Sequence, residues 1–252
     1  MTKNKVLFLH LSDIHVESTA NPILQRAHLI AATTFAHLPV VGKIMIVLSG
    51  DLSWSGLKEQ FDLVARLLDE IKVHIAAQAP NISIEVFSCP GNHDCDFGAD
   101  NETRAVVLDK VQSLGTKAPS HSLIKTATSI QAAFFAFRDS QNKNPRTRDG
   151  PLSWHSVVDF SGKNIGVRCL NVAWMSQLRE RQGTLVFPPE EIASFEFQHS
   201  SGITITVLHH PFNWFGQATY RTFQTNVRHE SQIVFTNGTE WRPGAGVSAA
   251  NA

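Results

Sequence analysis

Four short polar motifs contain side chains of the types that bind metal ions or move protons in enzymes. In chain order they are Asp13-Ile14-His15, Gly50-Asp51, Gly91-Asn92-His93-Asp94 and His209-His210-Pro211. Carboxylate and imidazole ligands together suit Mn, Fe or Zn, whereas soft cations prefer thiolate. Each motif taken singly also has a structural explanation, such as a turn or a helix cap. Their meaning therefore depends on how specific each is and on where the chain places it.

The first two motifs are weak signals by themselves. Asp13 and His15 are two residues apart, so a turning backbone can direct a carboxylate and an imidazole towards one point. A structural or capping role explains such a pair equally well. Asp51 follows Gly50, which permits a tight turn, and its two carboxylate oxygens could each bind one cation. A turn aspartate is the simpler explanation of that dipeptide alone.

The third motif is more specific than the others. The side-chain oxygen of Asn92 is a neutral ligand for a hard or borderline ion. His93 could protonate a leaving oxygen, with Asp94 holding its ring in one tautomer. A hydrogen-bonded turn is the weaker explanation once the other motifs are counted. In the fourth motif, one imidazole of His209 and His210 could complete the shell of a second metal, although a lone histidine is more often a satisfied polar residue.

Each motif follows a short apolar run that predicts a buried β-strand. The runs cover residues 6–11, 44–48, 82–87 and 203–208. All are rich in β-branched residues and bounded by turn residues. Ligands of open α/β sheets bind beyond the carboxyl ends of the strands. The four motifs are therefore predicted to meet at one edge of the sheet.

Helical patterns alternate with these strands. Helices are predicted over 21–38, 57–78, 102–114 and 121–138. In the first of them, Asn21 is the N-cap and Pro22 takes the first helical position. Residues 139–150 are predicted as a surface loop, and 157–160 with 165–173 as a β-hairpin. This alternation predicts an α/β fold with a mainly parallel or mixed sheet and helices packed outside.

Composition excludes several classes of protein. The chain of 252 residues is long enough for one large domain, and Lys+Arg and Asp+Glu both number 22. Zero net charge argues against a basic nucleic-acid groove over the whole surface, although a local patch stays open. Three cysteines are too few for a disulfide framework. No signal-peptide core or membrane-spanning stretch is present, so a cytoplasmic protein is expected.

The order of the four motifs, each after a strand, resembles the calcineurin-like metallophosphoesterase family over residues 7–236. The resemblance implies a four-layer α-β-β-α sandwich with two mixed β-sheets. It also implies two divalent metal ions, Mn, Fe, Zn or similar. Asp13 and His15 would bind the first ion, Asp51 would bridge both, and Asn92 and His209 would bind the second.

The same resemblance implies the remaining roles and the activity. His93 would lie beside the scissile phosphate as transition-state stabiliser or general acid, Asp94 would orient it, and His210 would be a neighbour of the site that contacts substrate. Paired metals in such sites lower the pKa of a water, and the hydroxide attacks phosphorus. The implied reaction is hydrolysis of a phosphomonoester or phosphodiester, with nucleotides or nucleic acids among the possible substrates.

The sequence departs from the family pattern near its end. The family has Gly-His-x-His after a last strand, here predicted at 232–236, and both histidines are metal ligands. Gly238-Thr239-Glu240-Trp241 stands there instead. Tryptophan's indole N–H is only a donor, so metal affinity and activity should fall, with Glu240 a possible substitute ligand. Residues 237–252 are predicted as an atypical, disordered tail, and the single domain over 1–252 as truncated or altered at its C-terminal part.

The sequence is also compatible with two other hypotheses. The lost histidines suggest an impaired domain that binds a metal, a phosphorylated ligand or a protein partner without efficient turnover. The abrupt end suggests the N-terminal part of a longer multidomain protein. Four aromatic residues follow the metal-motif strands and could stack on a base or line an apolar rim, although ordinary packing explains them as well. They are Trp54, Phe212, Trp214 and Phe215.

Overall fold

Two β-sheets form the centre of the structure, a computed structural model that describes residues 3–115, 117–141, 145–192, 194–195 and 202–237. The first sheet contains β1 (Lys5–Leu11), β2 (Val41–Ser49) and β3 (Ser83–Cys89), in that order. The second contains, also in chain order, β4 (Arg146–Asp149), β5 (Ser153–Phe160), β6 (Lys163–Leu170), β7 (Ile203–Val207) and β8 (Ile233–Phe235). The Gly-Thr-Glu-Trp segment at 238–241 and the predicted tail beyond it lie outside the described residues.

The two sheets differ in strand direction. Both described pairings of the first sheet are parallel. In the second sheet, β4–β5 and β5–β6 are antiparallel, whereas β6–β7 and β7–β8 are parallel. Only the second sheet is therefore mixed within the described part of the chain. The predicted α/β class with two sheets is confirmed.

In the described part of the chain, six α-helices cover the sheets. They are α1 (Ala27–Phe35), α2 (Lys58–Gln78), α3 (Glu102–Ser113), α4 (His121–Ala127), α5 (Ala132–Gln141) and α6 (Gln217–His229). The helix α2 buries Phe61, Val64, Leu68, Ile71 and Ile75 against the core, which is the face that the sequence periodicity predicts.

Two hydrophobic clusters connect the layers. The larger one joins α1 and α2 to the first sheet and continues between the sheets, where β3 lies against β6 and β2 against β7. Because both its faces are covered, β2 is buried along almost its whole length. The smaller cluster contains Phe223 and Val227 of α6 together with Leu170 and Leu208. The order helices, sheet, sheet, helices is that of the expected four-layer sandwich.

Three predicted elements differ in the structure. The first helix begins as a 3₁₀ turn at Pro22–Arg26, capped by Asn21, and ends at Phe35. The helix predicted over 121–138 is interrupted after α4, where the Thr128 hydroxyl donates to the Ile124 carbonyl oxygen at 2.9 Å. The loop predicted over 139–150 contains β4, a polar edge strand without apolar alternation.

The predicted hairpin is confirmed, with a tighter turn than expected. β5 and β6 are joined by Ser161 and Gly162, whose φ angles are 54° and 75°. Two central residues with positive φ are typical of the hairpin turns that match strand twist. The helix α6 was not predicted, because it presents few apolar residues to the core.

Candidate metal centre

The turns after β1 and β2 hold three motif residues in an unusual backbone conformation. Asp13, His15 and Asp51 have φ angles of 54°, 42° and 53°. Such conformations cost on the order of 1–3 kcal/mol each for residues other than glycine. Hydrogen bonds from Asp13 N to Gly50 O, 3.1 Å, and from His15 N to Asp51 O, 3.0 Å, hold the two turns together. Strain concentrated at candidate ligands is typical of a functional site.

Asp51 lies at the centre of the site. Its Oδ2 is 3.3 Å from Nε2 of His209 and 3.9 Å from Nε2 of His15, whose Nε2 is 4.0 Å from Oδ1 of Asp13. Its Oδ1 accepts a hydrogen bond from the backbone N–H of His93 at 2.9 Å. One buried carboxylate therefore faces donor groups from three other motifs.

Two groups of potential metal ligands share Asp51. One contains His15, Asp51 and His93, the other Asp13, Asp51 and His209, and the ligand atoms of each group lie within 4.8 Å of one another. Mixed carboxylate and imidazole donors fit a divalent metal such as Mn, Fe or Zn. This grouping sets His209 beside Asp13 and His93 beside His15, which differs from the pairing that the sequence suggested.

The His209 ring is held in one tautomer. Its Nδ1 lies 2.8 Å from the Ser49 carbonyl oxygen, which can only accept, so Nδ1 carries the proton and Nε2 faces Asp51. Metal-binding histidines commonly make this second hydrogen bond. Burial lowers the pKa of His209, but the hydrogen bond and charge of Asp51 outweigh it, and the net pKa is raised.

The electrostatics of Asp51 and His15 also favour metal binding. Burial raises the pKa of Asp51, but the His209 hydrogen bond and charge and the His93 N–H outweigh it, so the net pKa is lowered. Burial is also the largest influence on His15, and its pKa is lowered despite the charge of Asp51. The carboxylate is thus ionised and the His15 imidazole neutral, which are the forms that coordinate a cation.

Two glycines allow this close packing. A Cβ atom on Gly91 would lie 2.2 Å from Oδ1 of Asp51, and one on Gly50 would lie 2.6 Å from Nδ1 of His209. Any side chain at either position would displace a candidate ligand. The glycines of the second and third motifs are therefore required by the packing of the site.

The His93 ring is positioned by a backbone carbonyl. Its Nδ1 donates to the Trp54 carbonyl oxygen at 2.8 Å, which leaves Nε2 free of that bond. The ring lies edge-on to His15, with 4.6 Å between centroids, and tilted against the indole of Trp54 at 5.0 Å. Asn92 and His93 both line a cavity of about 460 Å³ beside the site.

The hydrogen-bond partners of Asp94 differ from the expected one, the His93 ring. It is fully buried, and its Oδ1 accepts hydrogen bonds from Leu52 N at 3.0 Å and from Ser53 N and Oγ at 2.9 and 3.0 Å. Its Oδ2 accepts from Gly91 N at 2.9 Å. These donors take up both oxygens, so the expected orienting contact with the His93 ring is replaced by the Trp54 carbonyl. Asp94 instead joins the turn after β3 to the turn after β2.

His210 is buried and bonded to Glu180. Its Nε2 lies 3.0 Å from Oε2 of Glu180, and its ring is edge-on to His209 with 4.8 Å between centroids. Burial, more than any other influence, lowers the pKa of His210. A direct contact with substrate, which the sequence suggested, does not fit this burial.

Two residues at the site were not found from the sequence. Glu180 belongs to the segment between β6 and β7, which has no recognisable motif. Asn237, two residues after β8, donates from Nδ2 to Oδ1 of Asp13 at 2.7 Å and from its backbone N–H to His209 O at 3.0 Å. Its position just after a strand was the available signal, but asparagine there is common in turns.

The sequence model for calcineurin-like phosphoesterases matches residues 6–235, nearly the whole chain. The chain belongs to the calcineurin-like phosphoesterase family. This membership agrees with the two-sheet α/β architecture and with the clustering of the four motifs at the strand ends. A search of curated proteins finds no match to the phosphoesterase chain. Among its described helices, none is both long and apolar enough to cross a membrane.

Proposed function

We propose that this phosphoesterase hydrolyses a phosphomonoester or phosphodiester with two divalent metal ions bound around Asp51. The observation that carries the proposal is that two groups of potential ligands share Asp51, one through His15 and the other through Asp13 and His209. We assign His93, the third member of the first group, to proton transfer and not to a metal. As the carboxylate common to both groups, Asp51 would help to hold both ions. Asn92, at the edge of the adjoining cavity, is the further candidate ligand.

The bound metals would supply a nucleophile at neutral pH and compensate the charge of the phosphoryl oxygens. The chain's own contribution is to fix the donors before substrate arrives. The strained turns at Asp13, His15 and Asp51 and the single tautomer of His209 restrict the ligands to one arrangement. Preorganised donors need no reorganisation during reaction, which is the main source of electrostatic catalysis.

His93 is the proposed general acid. In the neutral ring the Nδ1 proton is donated to the Trp54 carbonyl oxygen, so a second proton would reside on Nε2. Since His93 lines the cavity, its Nε2 proton can pass to the leaving oxygen of an ester bound there.

Hydrolysis of bis-p-nitrophenyl phosphate and p-nitrophenyl phosphate with Mn²⁺ tests the proposal. Turnover should appear with metal, disappear with EDTA, and be lost in Asp51→Asn, because that variant removes the shared carboxylate. Turnover on the diester but not the monoester, or the reverse, would assign the class of ester. Turnover that survives both EDTA and Asp51→Asn would refute the two-metal centre.

The alternative is an impaired domain that binds a metal or a phosphorylated ligand without efficient turnover. The observation that favours it is that Thr239 and Trp241 stand where the family has metal-binding histidines. Calorimetric titration with Mn²⁺ separates the two functions. Two tight sites per chain support the enzyme, whereas one weak site or none supports the impaired domain.

A further inference from the structure

The cavity beside His93 has the size of a small-molecule site. Its volume of about 460 Å³ lies within the range of roughly 300–1,000 Å³ for ligand pockets. Its walls come from the turn after β2, from residues 92–98 and from the segment after β6. The lining residues are Trp54, Ser55, Leu57, Asn92, His93, Asp96, Phe97, Gly98, Gln177 and Leu178.

Exposed apolar side chains are concentrated at this cavity. Within the described part of the chain, seven large hydrophobic side chains are exposed, and three of them line the cavity. These three are Trp54, 49% exposed, Leu57, 41%, and Leu178, 78%. Clustered exposed apolar groups mark binding sites, because leaving them in water is unfavourable. Phe97 adds a second aromatic ring to the same wall.

Two hydrogen bonds hold the backbone of Trp54, and its half-exposed indole packs on the rings of His15 and His93. Its backbone N–H donates to Val16 O at 3.1 Å, and its carbonyl accepts from Nδ1 of His93 at 2.8 Å. Its ring also contacts His93, with 5.0 Å between centroids and 39° between planes. An aromatic surface therefore lies beside the proposed general acid, where a flat group can pack on it.

The charges around the cavity favour an uncharged occupant. The described lining residues include no lysine or arginine, and Asp96 is the one carboxylate among them. Oδ1 of Asp96 accepts from Gly98 N at 2.9 Å. A neighbouring cavity of about 370 Å³ is lined instead by Arg179, Glu180 and Arg181. An additional anionic group on the ligand would find no cation beside Trp54 and would be repelled by Asp96.

We propose that this cavity binds the uncharged aromatic portion of a small phosphoester, whose phosphate lies at Asn92 and His93. The inference rests on the proposed function and adds the substrate class to it. The apolar contacts come from Trp54, Leu57, Phe97 and Leu178. His93 lies at the end of the cavity where the phosphate would react.

Binding of phosphonates measures this preference without turnover. Isothermal titration of the Mn²⁺-loaded chain with phenylphosphonate and with methylphosphonate compares two probes that share the same anionic group. Burial of the phenyl ring against the apolar wall should make phenylphosphonate bind about 10-fold more tightly. Phenylphosphonate should also quench indole fluorescence, and this quenching should be absent in Trp54→Ala.

Substitutions show which side chains cause the preference for phenylphosphonate over methylphosphonate. Trp54→Ala keeps the backbone carbonyl that holds His93 but removes the indole, so the ratio of the two affinities should fall to within about 2-fold. Leu178→Ala should also lower the ratio. The matched control is Leu29→Ala, since Leu29 is 55% exposed on α1 and does not line the cavity. 4-Carboxyphenylphosphonate should bind more weakly than phenylphosphonate, because its carboxylate meets no cation there.

The possible results separate this inference from the proposed function. Equal affinities for the two phosphonates, a ratio that survives Trp54→Ala, or tighter binding of the carboxylated probe would overturn the aromatic site while metal-dependent hydrolysis could still stand. Failure of every phosphonate to bind would refute phosphate recognition at His93, and the aromatic site with it.

Discussion

Replacing Asp94 by asparagine tests whether this residue supports the fold of the site, as its contacts indicate. Three backbone N–H groups and the Ser53 hydroxyl donate to its two oxygens. Burial, together with the charge of Asp51, raises its pKa to about 6, so the carboxylate is ionised at pH 8. In Asp94→Asn, one oxygen becomes an NH₂ group that faces a backbone N–H and cannot accept from it.

The magnitude follows from the donors left without a partner. The amide oxygen can keep the three donors at the Oδ1 position, and the NH₂ group then faces the N–H of Gly91. An unsatisfied buried donor costs about 1–3 kcal/mol, and here two donors oppose each other, so about 3 kcal/mol is expected. For a chain of this size, that lowers the melting temperature by roughly 6–12 °C.

Thermal unfolding at pH 8 measures this loss, with Asp62→Asn as the matched control on the exposed face of α2. The control should change the melting temperature little, because its ion pair with Lys58 is exposed. An Asp94→Asn variant with parental melting temperature but much lower turnover would refute the structural role. It would restore the expectation that Asp94 acts on the His93 ring.

Three further predictions concern stability and metal affinity. Arg104→Met should lower the free energy of unfolding in urea by about 3–5 kcal/mol, because the buried guanidinium donates to Ala127 O, Ser176 O and the Asp100 carboxylate. The control is Arg66→Met, since Arg66 is exposed, and an equally small loss in both variants would contradict the prediction. Burial, with the charges of Arg168 and Arg148 nearby, lowers the pKa of His155 to about 3. The neutral ring therefore stabilises the fold above pH 6.5, and this stabilisation is lost as the pH falls from 6.5 towards 3. Between pH 6.5 and 5, the free energy of unfolding of His155→Gln in urea titrations should therefore fall by about 2 kcal/mol less than that of the parent chain. The same fall in both chains would contradict this role of His155. Asn237→Ala removes the hydrogen bond to Asp13 and should weaken Mn²⁺ binding about 10-fold in calorimetry with little change in melting temperature, whereas unchanged affinity would show that this contact has no effect on the ligand.

The strands and the strand-end motifs could be predicted because their signals are local. The apolar runs before Asp13, Asp51 and Asn92 became β1, β2 and β3, and the turns that follow them meet at one edge of the first sheet. Parallel pairing makes this meeting a consequence of strand direction alone. His209 joins them from the second sheet, at the end of β7.

The elements and contacts that the sequence did not predict depend on tertiary packing. The strand β4, with sequence Arg-Thr-Arg-Asp, has no apolar alternation and exists through its pairing with β5. The hydrogen bonds of Glu180 with His210 and of Asn237 with Asp13 join residues 30 and 224 positions apart. Asp94 was assigned to the His93 ring from adjacency in sequence, whereas the fold directs its oxygens to backbone N–H groups of two turns.

The number of Mn²⁺ ions bound per chain, measured by calorimetric titration, tests the central claim that Asp51 is shared by two metal sites. The account predicts two ions for the parent chain, loss of both in Asp51→Asn, and loss of one in Asp13→Asn, since Asp13 belongs to one group of ligands only. A single ion in the parent chain that Asp51→Asn leaves bound would contradict it.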